Sequence, residues 1–256
     1  MYDPIFYPHG AKYMLFNVKR AISKMRQALG WIPPRLNQRR EIAWRYLKGQ
    51  GIEIGALHQP LHVPPRSVVK YVDRMSIPDL RRHYAEFKDL PLVPVDIIDD
   101  GETLASIAGN SQDFVIGNHL VEHCQNPIAA IYNWLRVLRP GGVLYLSVPD
   151  KRFSFDRDRP ITALEHLVRD YEESPAWSRM EHFREWAQYV ARVPEDKIEA
   201  KARKLLESDY SIHYHVWTAL EFLQLIIHCR AVVRMGFELE LVQQNGEEFI
   251  IVLIAH

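Results

Sequence analysis

The chain has 256 residues, 47% of them hydrophobic and 25% charged, enough for one large domain or a domain with an elaborate insertion. Lys plus Arg and Asp plus Glu both number 32, a neutrality that gives no support to a general nucleic-acid or anionic-membrane partner. Two cysteines, Cys124 and Cys229, are too few for a disulfide scaffold and match no zinc spacing, so a reduced, cytoplasmic setting is expected. The start of the chain, broken by Pro4, Pro8, His9 and Lys12, does not read as a signal peptide, and no run approaches the roughly 18 apolar residues of a membrane helix.

In chain order, residues 11–29 carry Met14, Leu15, Val18, Ile22 and Met25 at near-helical spacing. Trp31-Ile32-Pro33-Pro34 breaks that pattern, and Arg39 to Leu47 predicts a short helix. Residues 1–50 are therefore expected to form a helical cover, with a cofactor lid or a homodimer contact as alternatives. Strands are predicted near 51–55, 68–73, 93–98, 113–117 and 142–148, alternating with helices as in a doubly wound α/β sheet. Pro127 to Leu138 reads as a helix opened by proline and stopped by Pro140-Gly141-Gly142. Residues 236–241 and 249–254 flank a turn at Asn245-Gly246, which predicts a closing antiparallel hairpin.

Between the fifth strand and a helix near Thr218 lie residues 150–216, too many for an ordinary loop. Helices are predicted at 162–171, 178–193 and 195–207. The insertion leaves the carboxyl end of a strand, where open α/β sheets bind ligands, and it is expected to serve as a substrate lid. Its front carries Asp150, Lys151, Arg152, Arg157 and Arg159, candidate partners for polar or acidic acceptor groups.

The stretch Gly51-Ile52-Glu53-Ile54-Gly55-Ala56 running on to Tyr71-Val72-Asp73-Arg74 lacks the glycines of a dinucleotide fingerprint. It resembles motif I and the following acidic strand end of class I S-adenosylmethionine-dependent methyltransferases. Asp113-Phe114-Val115-Ile116-Gly117-Asn118-His119-Leu120-Val121-Glu122-His123 and Leu138-Arg139-Pro140-Gly141-Gly142, running through the strand to Pro149-Asp150, are similar to the type 11 group of that family. The first loop is poorer in glycine than is usual there.

The resemblance implies a mostly parallel seven-stranded sheet, with residues 51–149 and 217–256 holding S-adenosylmethionine. It implies cofactor contacts from Glu53, Gly55, Ala56, Asp73, Arg74, Asp99, Asp100, Asn118 and His119, with Asp73 on the ribose diol and Asp100 preferred for the adenine amino group. Pro149-Asp150-Lys151-Arg152 together with His213-Tyr214-His215-Val216-Trp217-Thr218 is similar to methyltransferases that modify bacterial polysaccharides and small glycosides, implying O-methylation of a sugar hydroxyl.

Thr218 and Glu221 form a capping box, so His213 and His215 sit at a fixed helix start. Alternate residues on an extended chain face one way, so the two imidazoles are expected to share a pocket and supply the base, with His119 next. Packing on Trp217, capping of a carbonyl, and ligation of a divalent ion such as Mg2+ are alternatives. Glu122 and His123 read as helix-start caps. An NAD-dependent sugar oxidoreductase and an inactive methyltransferase-like subunit are the competing functions.

Overall fold

The central strands of the sheet are apolar runs because they are covered on both faces, whereas the edge strands keep exposed positions. The computed structural model describes residues 34–84 and 87–256; the expected helix over 11–29 lies outside them. The seven-stranded sheet has the order β3-β2-β1-β4-β5-β7-β6. Its strands are β1 (Gln50–Ile54), β2 (Val68–Asp73), β3 (Ile97–Ile98), β4 (Gln112–Asn118), β5 (Leu138–Pro149), β6 (Phe237–Asn245) and β7 (Glu248–Ala255). The first five run parallel, whereas β7 is antiparallel to both β5 and β6.

Alternate residues build two cores. Ile52, Val115, Leu144, Leu146, Ile251 and Leu253 pack on one face with α3 (Pro127–Val137) and α7 (Ala219–Ala231). Phe114, Ile116, Tyr145, Ile250 and Val252 pack on the other with Ala43 and Leu47, from α1 (Pro34–Tyr46) and the residues after it. Gly51 is required at the β1–β4 contact, since a Cβ there would stand 2.3 Å from the Phe114 carbonyl oxygen. Residues 39–256 form one compact unit.

The third strand is shorter than expected. Pro91 and Pro94 interrupt its approach, and the Val93 amide donates to the Leu57 carbonyl at 2.8 Å rather than to a sheet neighbour. A short helix, α2 (Ile77–His83), lies between β2 and β3 and is capped by Ser76.

The insertion is helical. It holds α4 (Leu164–Glu173), α5 (Arg179–Glu185) and α6 (Ile198–Glu207). Beyond Glu185 the backbone widens into a π-turn over Trp186–Val190, so the expected single helix over 178–193 is an α-helix with a π end. A third, smaller cluster of Phe183, Ala202, Leu205, Ile212 and Tyr214 lies within the insertion. The Thr218–Glu221 capping box forms as expected. No helix among the described residues is long and apolar enough to cross a membrane.

Candidate active site

The carboxyl ends of β1, β2 and β4 bring the first group of expected residues together. Gly55 takes φ +66°, a left-handed conformation that glycine adopts without strain, and its amide donates to the Val72 carbonyl at 2.9 Å. Ala56, Leu57, Tyr71, Asp73, Leu80 and Val93 line a cleft at the tip of β2. Burial raises the pKa of the Asp73 carboxyl, which makes a hydrogen-bonding partner in the cleft more favourable.

Glu53 is turned inward. It is fully buried, and both of its oxygens accept from the Leu61 amide at 3.0 Å while Asn118 Nδ2 donates to Oε1 at 3.1 Å. Burial pushes its carboxyl up to about 7 against the lowering effect of those bonds. Glu53 therefore ties the loop after β1 to the tip of β4, while Asn118 keeps a buried Oδ1 without a protein partner.

Asp99 and Asp100 shape the turn after β3. Asp99 accepts from the Ser106 amide and hydroxyl, and Asp100 accepts from the amides of Glu102 and Thr103. Arg74 points to Asp209 and Tyr84, at 2.6 Å each, and so links β2 to the end of the insertion.

The residues present fit a cofactor with a ribose diol and a polar amino-acid end. Asp73 supplies an acceptor at a strand tip, Gly55 lets backbone approach it, and Asn118 offers an unsatisfied oxygen. They fit Mg2+ poorly. Among the described residues, the two groups spaced to hold a metal, His166-Asp170-His182-His215 and Glu122-His123-His213, are rich in nitrogen, while Mg2+ takes oxygen.

The three histidines fall into different surroundings. His119, at the tip of β4, is 43% exposed; its Nε2 lies 2.7 Å from Glu248 Oε2 and its Nδ1 3.7 Å from Glu122 Oε1. His213 Nδ1 lies 2.7 Å from Asp156 Oδ2, and its Nε2 is 4.0 Å from Glu122 Oε1. Burial alone would raise the Asp156 carboxyl, but the bonds to His213 and Arg159 outweigh it and hold the pKa low. His215 corrects the expectation of a shared pocket. It is fully enclosed against His166, His182 and Trp217, and burial drives its pKa well below the usual histidine value.

Two of the expected substrate residues are also committed to the fold. Arg159 is entirely buried, with Nη1 bound to Asp156, Nε to Glu185, and the His213 and Tyr214 carbonyls accepting from its fork. Asp150 is buried too; it pairs with the Arg152 guanidinium and accepts from the Arg152 amide. Arg152, Arg157 and, more partially, Lys151 keep surface exposure at the front of the insertion.

Sequence reasoning missed two acids. Glu122 was read as a cap, yet it is fully buried, neither carboxylate oxygen has a hydrogen-bond partner, and it stands between His119 and His213. Burial raises its pKa. The His-x-x-Glu-His spacing was the available signal. Glu248, on β7, binds Arg39 Nε at 2.6 Å as well as His119, and nothing local in the hairpin sequence marks it. Burial alone would raise its pKa; the bonds to His119 and Arg39 bring it down to about 2.

Known structures share this architecture. A chain from Rhodobacter sphaeroides, assigned provisionally to the Zn-dependent alcohol dehydrogenases, matches at TM-score 0.53 and 14% identity, covering 86% of this chain and 90% of its own. A SAM-dependent methyltransferase of Thermotoga maritima matches at TM-score 0.47 and 16% identity, covering 87% of each chain. Another, from Aquifex aeolicus, matches at 0.42 and 11%, covering 82% and 85%. Likeness at such identities is a likeness of fold and not of reaction. No curated protein matches the sequence. A family model described as a methyltransferase domain matches residues 25–221, most of the chain, and sets aside the oxidoreductase alternative. With that match, and a seven-stranded sheet closed by an antiparallel β7 behind it, the chain belongs to the methyltransferase domain family and is a methyltransferase.

Proposed function

We propose that the protein uses S-adenosylmethionine to methylate a hydroxyl of a small sugar or glycoside, one bearing an acidic group, in the cytoplasm. The cofactor, when bound, supplies a methyl group on a sulfonium. Asp73 would hold the ribose diol, Gly55 and Ala56 would lie along the amino-acid end with Asn118, and the turn at Asp99 and Asp100 would border the adenine. Lys151, Arg152 and Arg157 would meet the acidic group of the acceptor.

The observation that carries the O-methyl reading is the Asp156–His213 pair, at 2.7 Å. Asp156 orients the ring by accepting from Nδ1, which leaves Nε2 as the proton acceptor. Its nearest carboxylate oxygen on that side, on Glu122, is beyond hydrogen-bonding distance. His119 is less suited, because each of its nitrogens already faces a carboxylate. His213 thus leads the candidates for the base.

The test is turnover of acidic and neutral glycosides with S-adenosylmethionine, followed by S-adenosylhomocysteine release. His213→Ala should lower turnover about a hundredfold or more with S-adenosylhomocysteine affinity unchanged, and His119→Ala should cost less. Normal turnover in both variants on an acceptor the wild type methylates would discard the histidine base. Methylation of nitrogen or carbon in place of oxygen would discard the hydroxyl acceptor.

A further inference from the structure

The insertion contains a set of ring nitrogens for which methyl transfer gives no use. His166 and Asp170 lie one turn apart on α4 and share a face. His182 comes from α5, and His215 from the extended segment ahead of α7. One donor atom from each of the four lies within 4.8 Å of every other.

The spacing is that of metal ligands. His166 Nε2 is 3.1 Å from His182 Nε2 and 3.2 Å from Asp170 Oδ2, and His215 Nε2 is 3.7 Å from that same oxygen. Four ligand atoms about 2.0–2.1 Å from a tetrahedral ion stand about 3.3–3.4 Å apart. Hydrogen bonding accounts for only part of the group: His166 and His182 share one contact, and His215 Nε2 lies 3.4 Å from the Gln125 carbonyl. Asp170 is completely buried and its Oδ2 has no hydrogen-bond partner, and neither does His215 Nδ1.

The supports of the cluster aim its ligand atoms inward. Ser178 Oγ donates to Asp170 Oδ1 at 3.0 Å, leaving Oδ2 directed at the histidines. The His182 ring also hydrogen-bonds the Tyr214 backbone. Trp177 and Trp217 pack on His166 and His215, with ring centres 4.8 and 5.8 Å apart.

We propose that His166, Asp170, His182 and His215 form a four-coordinate site for zinc(II), which pins α4 and α5 to the segment entering α7. Three imidazoles and one carboxylate suit zinc, and not Mg2+ or Ca2+. The protein supplies all four ligands, which makes the site structural, with no position open to substrate. This inference is independent of the methyl acceptor.

The full-length protein, stripped with a chelator and dialysed, is titrated with ZnCl2 alone against a chromophoric competitor. One zinc per chain should bind and raise Tm, since the ion favours the folded state. CoCl2 in its place should give the intense visible bands of a tetrahedral ion. Asp170→Asn and His182→Ala should abolish the thermal response. Ser178→Ala, which alters no ligand and so guards against variants that fail to fold, should weaken zinc by about 10–100-fold. Glu122→Gln, in the other nitrogen-rich group, should leave the zinc response intact. The site is refuted if stripped wild-type protein binds no zinc, if cobalt gives the weak spectrum of an octahedral ion, or if Glu122→Gln abolishes a response that Asp170→Asn preserves.

Discussion

The sheet and the insertion are held together by different means. Each central strand buries apolar residues on both faces, and Ile52, Val115, Leu144 and Ile251 need only the right alternation to find their places. The insertion has its own small Phe183–Tyr214 cluster and lends Leu167 to the sheet core, and its elements are also joined by a buried polar group, Arg159 with Asp156 and Glu185. Apolar burial is non-directional, whereas charged hydrogen bonds fix angles. The scaffold thus draws on quantity of burial and the insertion on geometry.

The largest expected effect tests that contrast at Arg159. Arg159→Met should destabilise the insertion by about 3–5 kcal/mol, because it leaves Asp156 and the His213 and Tyr214 carbonyls buried without their donor. Urea unfolding followed by tryptophan fluorescence reports it, with Trp186 beside Arg159 as a local probe. A loss under 1 kcal/mol would mean that the insertion, like the sheet, stands on apolar contacts.

Glu53 gives the sheet a sharp polar signature. Its folded pKa, about 7, exceeds the ordinary 4.5, so between those values the folded chain holds a proton that the unfolded chain has released. Stability from this group is therefore full below about pH 4.5 and is lost as pH rises through 7, a change on the order of 3 kcal/mol. Glu53→Gln should remove that slope, seen as a difference between wild-type and variant stability across pH 4–8. A parallel pair of curves would show that Glu53 is not protonated in the fold.

On the ligand face, Asp73→Ala should weaken S-adenosylhomocysteine by about 1.5–3 kcal/mol in titration calorimetry, with stability nearly unchanged. Unaltered affinity would move the ribose contact elsewhere. The smallest effect belongs to the junction of the two regions, where Thr218→Ala should cost about 1 kcal/mol by removing the α7 cap.

The same contrast explains what could be read in advance. Runs such as Val68 to Val72 and Phe114 to Ile116, the Asn245-Gly246 turn and the Thr218–Glu221 box are local signals, and each lies where the sequence placed it. Prolines at 91 and 94 shortened β3, a local signal given too little weight. Asp73 and Gly55 stand at the ends of β2 and β1, where the apolar runs of the sequence put them. The insertion was legible as helices but not as partnerships. Arg159 stood among charged residues expected to meet an acceptor, yet Glu185 and two carbonyls from a distant segment converge on it. His213 and His215 alternate on one segment, but one meets Asp156 and the other His182, a division decided by a turn and a helix some thirty or more residues away. Glu122 carried no mark of burial, because its enclosure is made by packing and not by its neighbours in sequence.

The place of β7 has a consequence for how the molecule is made. Register pairs Val143 with Ile254 and Leu146 with Ile251, so the slot beside β5 waits for a strand synthesised long after it. Until then β5 presents an open row of amides and carbonyls, with Leu144 and Leu146 uncovered, as the insertion emerges and folds. Closing so distant a pair is slow, since a long loop must be ordered before the contact is gained. A nascent chain of this protein spends that interval with its most adhesive edge free, a natural target for a chaperone.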